Sequence, residues 1–157
     1  MKVESCELIL ARLLNRRYRT DDKLPVNFRE RAFQFTLKLF DFCAELGRIP
    51  GPARRLGDQL FDAGSSIGAN LAQSKGSYSR KELAAKNAIS LKESHESKYW
   101  LRVAEAKSLG NPAVRAWLLR ESDEFCAMLT VSVRRLKANS RPDDSNPNAN
   151  DHPSADS

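Results

Sequence analysis

The chain has 157 residues, 41% of them hydrophobic and 29% charged, with a formal net charge of +6. That is the size of one domain, with enough apolar residues for a core and well-solvated outer faces. Glycine and proline, seven each, are too few for a fibrous or low-complexity chain. No uninterrupted apolar stretch opens the sequence and no run reaches membrane length, so the reading is a cytoplasmic protein without a membrane partner.

The charge is unevenly placed. From Asn139 onward the tail holds one arginine and four aspartates, which leaves 25 basic and 16 acidic residues in 1–138, a net of +9. A domain that basic attracts polyanions, whether RNA, DNA or an acidic partner; the alternative is a basic surface that serves solubility alone. Cys6, Cys43 and Cys126 are far apart and form no CxxC pair, so neither a disulfide framework nor a zinc site is expected. Cys43 and Cys126 sit among apolar helical positions, where a thiol packs as a small hydrophobe.

In chain order, residues 1–25 come first. Leu8, Ile9, Leu10, Leu13 and Leu14 outline a short amphipathic helix followed by the basic run Arg16-Arg17-Tyr18-Arg19; a fifth helix, a docking arm and a leader all remain open. Residues 26–138 read as four helices. The first starts at Asn27, with Glu30 completing a capping-box pattern, and runs to Gly47. Pro50-Gly51-Pro52 breaks the chain, with Pro52 as the first residue of the second helix, which reaches about Ser74 and stops near Gly76. Ser79 caps the third, again with an acid three residues on at Glu82; it extends to Leu109 and ends on Gly110. Asn111-Pro112 opens the fourth, which reaches about Ala138. Short connections place consecutive helices antiparallel, so the expected fold is an all-α, up-down-up-down four-helix bundle. Residues 139–157, rich in Pro, Asn, Asp and Ser, have little apolar surface to bury and are expected to form a disordered acidic tail.

The first helix carries two apolar stripes. Phe28, Phe35 and Phe42 form one, with Ala32, Leu39, Cys43 and Leu46 beside it; Phe33, Leu37, Phe40 and Ala44 form another, well round the cylinder. Only Arg29 interrupts the apolar side. The apolar arc spans roughly 200°, about twice what one core requires. Either the helix is wedged between neighbours, or one face meets another subunit. The stripe of Phe28, Phe35 and Phe42, with Tyr99 and Trp100 on the third helix, is the expected oligomer interface.

The second helix has the opposite signature: Gly64 and Gly68 inside a run of small residues, each costing roughly 1 kcal/mol relative to alanine, a cost that close approach by a neighbouring helix offsets. Asn70 on the same helix is a candidate buried polar group.

The segment Ser65-Ser66-Ile67-Gly68-Ala69-Asn70-Leu71-Ala72-Gln73, then Ser79-Arg80-Lys81-Glu82-Leu83, Ile89-Ser90-Leu91-Lys92-Glu93 and Lys98-Tyr99-Trp100-Leu101-Arg102, closely resembles one family. These are the bacterial four-helix-bundle proteins first noted as reading frames within intervening sequences of large-subunit ribosomal RNA genes. The resemblance covers roughly 26–138. It implies a homo-oligomer, a pentamer of bundles. It also brings in the related accessory proteins of diversity-generating retroelements, basic pentameric bundles that bind a reverse transcriptase and nucleic acid. Gln73 stands where the family usually has glutamate, which puts an ion pair there in doubt; Ser94 and His95 also depart from the pattern.

Catalytic chemistry is not legible. His95-Glu96 would need a histidine at 99 to make HExxH, and that residue is Tyr99; the other histidine, His152, is in the tail. There is no P-loop and no GxGxxG. Ser65, Ser66 and Ser90 have no general base, and Glu93, Glu96 and Glu105 read as solvated acids. Neither an enzyme, a cofactor nor a metal site is expected. Candidate phosphate-binding residues are Lys75, Arg80 and Lys81 before and at the start of the third helix, Lys92, Lys98 and Arg102 along it, and Arg54 and Arg55 at the start of the second. Arg134, Arg135 and Lys137 add charge at the end of the fourth. Tyr99 and Trp100 would stack on bases if they are not core or interface. The function expected is a non-enzymatic oligomeric adaptor that binds nucleic acid, with a reverse transcriptase among the partners the resemblance implies. The alternative is a protein-interaction scaffold without nucleic-acid binding.

Overall fold

The computed structural model describes residues 27–139, which form four helices: α1 (Phe28–Gly47), α2 (Pro52–Ser74), α3 (Arg80–Ala106) and α4 (Pro112–Ala138). The N-terminal segment, Cys6, His152 and the acidic tail all lie outside the described residues. Within them the chain is the antiparallel four-helix bundle expected. Consecutive helices pack along their lengths, α1 and α4 close the bundle with a sparser contact, and the diagonal pairs do not meet.

The start signals act as read in three of four places. The Asn111 side chain accepts the backbone N–H groups of Ala113 and Val114, with Pro112 at the first helical position. Pro52 opens α2. Ser79 Oγ accepts the Glu82 N–H at 3.1 Å, and the Glu82 carboxylate accepts the Tyr78 N–H at 2.9 Å, so the reciprocal capping pattern forms, displaced by one residue at its second bond. Asn27 departs from expectation. Its backbone is already helical (φ −86°, ψ −1°) and its side chain makes no cap bond. Glu30 is instead engaged by Gln34 Nε2 at 2.9 Å.

The third helix also ends sooner than its hydrophobic pattern suggests, at Ala106. Ser108 takes a left-handed conformation (φ 53°), and the Leu109 N–H reaches back to the Ala104 carbonyl at 2.9 Å, folding Leu109 onto the core. Gly110 follows with φ 65°, and a Cβ there would lie 2.3 Å from the buried Phe42 ring. Gly110→Ala therefore combines left-handed strain with overpacking. It is expected to cost about 2–3 kcal/mol in chemical denaturation.

The core is assembled from unlike faces. α1 contributes Phe28, Ala32, Phe35, Leu39, Phe42 and Leu46 at alternating spacings of four and three. α2 receives them on its glycines: a Cβ on Gly64 would lie 2.1 Å from Leu39 Cδ2, and one on Gly68 3.1 Å from Thr36 Oγ1. The close approach expected of the small-residue run is thus made by α1. The inward face of α3 is small and polar: Ala84, Asn87, Ser90, Ser94, Ser97, Leu101 and Ala104. Its hydroxyls bond mostly to backbone, with Ser94 donating to the Ser90 carbonyl at 2.7 Å and Ser90 to the Ile67 carbonyl of α2 at 3.3 Å. Asn87 Nδ2 donates to Ser132 Oγ of α4 at 3.0 Å. Small side chains let α2 and α4 lie close on α3, whereas the α1–α4 seam is spanned by aromatics. Phe125 meets Phe28 and Phe35 edge-on, both at 5.3 Å, and Phe35 stacks on Trp117 at 6.4 Å. Arg31 seals that seam through Glu121 at 2.9 Å, and Lys38 lies over the Trp117 ring.

Candidate nucleic-acid interface and apolar stripe

The up-down topology sorts the basic residues between two ends of the bundle. The end of α2, the start of α3 and the end of α4 lie together, as the Lys86–Gln73 bond (2.6 Å) and the Asn87–Ser132 bond show. Residues 75–86 and 130–139 there hold seven basic side chains and one acid, Glu82. Lys75, Lys81, Arg134 and Lys137 are all exposed. Arg80 is at the same end, and Arg135 is half-buried.

Arg54 and Arg55 lie at the opposite end, about 30 Å away along α2. The charge there is diluted by Glu45, Asp58 and Glu105, and the Arg54 guanidinium is partly committed. Arg54 Nε donates to the Gly47 carbonyl at the end of α1 at 3.0 Å, and Arg115 Nη1 donates to the Leu109 carbonyl. The first caps the C-terminus of α1, and the second braces the α3–α4 turn. Along the shaft of α3, Lys92 and Arg102 are exposed, while Lys98 is held by Asp123 of α4 at 2.5 Å. That hydrogen bond raises the Lys98 ammonium above its ordinary range, with burial opposing it. The eight candidate residues therefore do not converge. Three form a basic end with α4, two sit far away, Lys92 and Arg102 lie along α3, and Lys98 is neutralised by a partner.

The apolar surplus of α1 resolves differently from the expectation. Phe28, Phe35 and Phe42 are fully enclosed by the bundle, which corrects their placement at an oligomer interface: the α2 glycines and the ring of Phe125 draw that stripe inward. The other stripe faces out, with Phe33 55%, Leu37 47% and Phe40 60% exposed. Phe61 of α2 extends it, meeting Phe40 edge-on at 5.8 Å. On α3, Tyr99 is 58% exposed. Trp100 is half-buried against the core, edge-on to Tyr99, its indole N–H pointing to the Glu96 carboxylate at 3.5 Å.

Other features the sequence singled out have structural partners. Arg29, which interrupts the apolar side of α1, donates to the Leu71 carbonyl at 2.9 Å and caps the end of α2. Gln73 accepts the Lys86 ammonium, so a charge–dipole bond stands where an ion pair was in doubt. Asn70 is only half-buried and bonds within its own helix, to the Ser66 carbonyl. The buried amide is that of Asn87, whose helix face reads as polar in sequence and gave no core signal. Among the described residues, no three His, Cys, Asp or Glu side chains gather as metal ligands, and no helix is long and apolar enough to cross a membrane.

The Cys126 thiol lies 3.6 Å from His95 Nδ1. Burial nevertheless pushes Cys126 up to about 11, and burial with the Asp58 charge pushes Cys43 up to about 12. Neither is a ready nucleophile. Folded pKa values raised above the ordinary 9.0 mean that the unfolded chain releases these protons first. The stabilisation is complete below pH 9 and is lost as the pH climbs through the folded values. Lys98 acts in the same direction. The urea midpoint is expected to fall from about pH 8 to about pH 10, and iodoacetamide is expected to leave both thiols largely unmodified until the chain unfolds.

The fold and these surfaces define a small antiparallel helical bundle with one basic end and one apolar stripe left outside the core. The description of the 23S rRNA-intervening sequence proteins matches residues 26–131, and the chain belongs to that family. Its fold is similar to a solved structure, a protein of unknown function from the S23 ribosomal protein family of Bacteroides thetaiotaomicron. The two share 21% identity over 68% of this chain and 98% of that one, with a TM-score of 0.61. No curated protein matches this chain.

Proposed function

We propose that this protein is a non-enzymatic homo-oligomer, a pentamer by the family resemblance, that presents its basic end to the phosphate backbone of RNA or DNA. The observation that carries the reading is the concentration, in residues 75–86 and 130–139 at the α2–α3–α4 end, of seven basic side chains against one acid. Lysine and arginine there neutralise phosphates with little sequence discrimination, and copies repeated in an oligomer act together through effective concentration. The outward stripe of Phe33, Leu37 and Phe40 supplies the contact between copies. A reverse transcriptase is the protein partner that the family resemblance implies.

Fluorescence polarisation of a labelled oligonucleotide against the full chain, titrated from about 50 to about 200 mM salt, tests this. Binding that weakens steeply with salt supports it, and no binding at the lower salt overturns it. One observation favours a second reading. Phe33, Leu37 and Phe40 have the chemistry of a protein contact, so a scaffold that holds other proteins would oligomerise or bind a partner through α1 and ignore the oligonucleotide.

A further inference from the structure

The turn between α2 and α3 reads Lys75-Gly76-Ser77-Tyr78-Ser79-Arg80-Lys81, and Tyr78 is 100% exposed. Its ring packs on nothing in the bundle, yet its backbone is held firmly. The Tyr78 N–H is accepted by the Glu82 carboxylate, while the Glu82 N–H is accepted by Ser79 Oγ. The preceding residues are wound into successive tight turns, with Lys75, Gly76 and Ser77 N–H groups donating to the carbonyls of Ala72, Gln73 and Ser74 at 3.1–3.3 Å. The same bonds direct Glu82 back onto the turn. An aromatic ring is thus presented to solvent from a fixed backbone, flanked three residues away on each side by exposed Lys75 and Lys81, at the end that also carries Arg134 and Lys137.

We infer that Tyr78 is a base-stacking platform, and that the basic end takes single-stranded nucleic acid or unpaired nucleotides rather than continuous duplex. The inference rests on the proposed nucleic-acid reading and sharpens it. A cation-lined surface with a presented aromatic is what an unpaired nucleotide fits: phosphates meet the cations and the base lies on the ring. In duplex both faces of each internal base are already stacked, so the ring adds nothing and only the electrostatic part remains. Tyr99, an exposed aromatic on α3, lies on the shaft of the bundle, away from this end.

The test measures the affinity of the full chain for a labelled single strand and for a blunt duplex of the same sequence, in RNA and in DNA, at low salt. Wild type and Tyr78→Ala, Tyr78→Phe and Tyr78→Trp variants are compared. The wild type is expected to favour the single strand, and Tyr78→Ala to lose about tenfold or more on it while holding duplex affinity. Phe and Trp variants keep the preference. Tyr78 touches no core residue, so unchanged melting of the Ala variant confirms that folding is not what is measured. If Tyr78→Ala binds the single strand as wild type does, or if Tyr78→Phe falls as far as Ala, stacking is overturned and the nucleic-acid reading survives. If the wild type binds no oligonucleotide, that reading falls as well. Equal loss in RNA and DNA is the expected pattern, since both present the same π-faces.

Discussion

Phe35→Ala is expected to destabilise the bundle by about 3–5 kcal/mol, while Phe33→Ala, two residues away, changes the stability of the isolated bundle by less than about 0.5 kcal/mol. Phe35 is fully buried, meets Phe125 edge-on, stacks on Trp117 and lies against Gly64. Truncation leaves a cavity that rigid neighbours cannot fill, because Gly64 has no side chain to move into it. Phe33 is more than half exposed, and its loss removes little from the core. Under the proposed assembly, the consequence of Phe33→Ala is expected between copies. If the outward stripe is the contact surface, combining it with Leu37→Ala and Phe40→Ala shifts the assembly toward monomer. Urea denaturation reads the first effect and light scattering the second, and the two residues should exchange places between the assays.

Changing Lys75, Lys81, Arg134 and Lys137 together to glutamine is expected to lower oligonucleotide affinity by more than about 100-fold at about 50 mM salt. The salt slope should fall by about 3, at about 0.7 for each single-strand phosphate that the protein no longer neutralises. The four residues are exposed and share one end, so a strand laid there meets all of them. The matched change of Arg54 and Arg55 at the far end is expected to alter affinity by no more than about threefold. Arg54 already gives its Nε–H to the Gly47 carbonyl. Lys98→Gln is also expected to be nearly silent, because Asp123 neutralises it. Similar losses at both ends would mean that the charge acts as a diffuse cloud rather than as a site.

The helix count and nearly all the helix limits were legible because each boundary carries its own local chemistry: Pro52, the Ser79–Glu82 pair and Asn111-Pro112 need no knowledge of the rest of the fold. The early end of α3 was not, because it depends on a left-handed serine, a conformation that serine rarely signals. The inward stripe of α1 was not legible either. Phe28/Phe35/Phe42 and Phe33/Leu37/Phe40 are equally apolar and both periodic, so only the neighbouring helix chooses between them. The glycines of α2 make that choice, and although their close packing was expected, its partner was not. The core face of α3 was hidden because Asn87, Ser90, Ser94 and Ser97 read as solvent-facing. Of the candidate interface, the residue types were visible in the sequence, and their division between two ends follows only from combining them with the antiparallel helix order. Tyr78 had a signal, an aromatic flanked by Lys75, Arg80 and Lys81, but it lies in a turn and so belongs to no helical pattern.

The most direct test is sedimentation velocity of the full chain with a labelled single strand of about ten nucleotides, followed at the protein and label wavelengths at about 50 and about 200 mM salt. An oligomer that binds nucleic acid is expected to sediment as a species several times the 17.6 kDa of one chain, carrying the label at the lower salt and largely without it at the higher. A protein boundary at one-chain mass, or an oligomer that leaves the label behind at the lower salt, would contradict the proposed function.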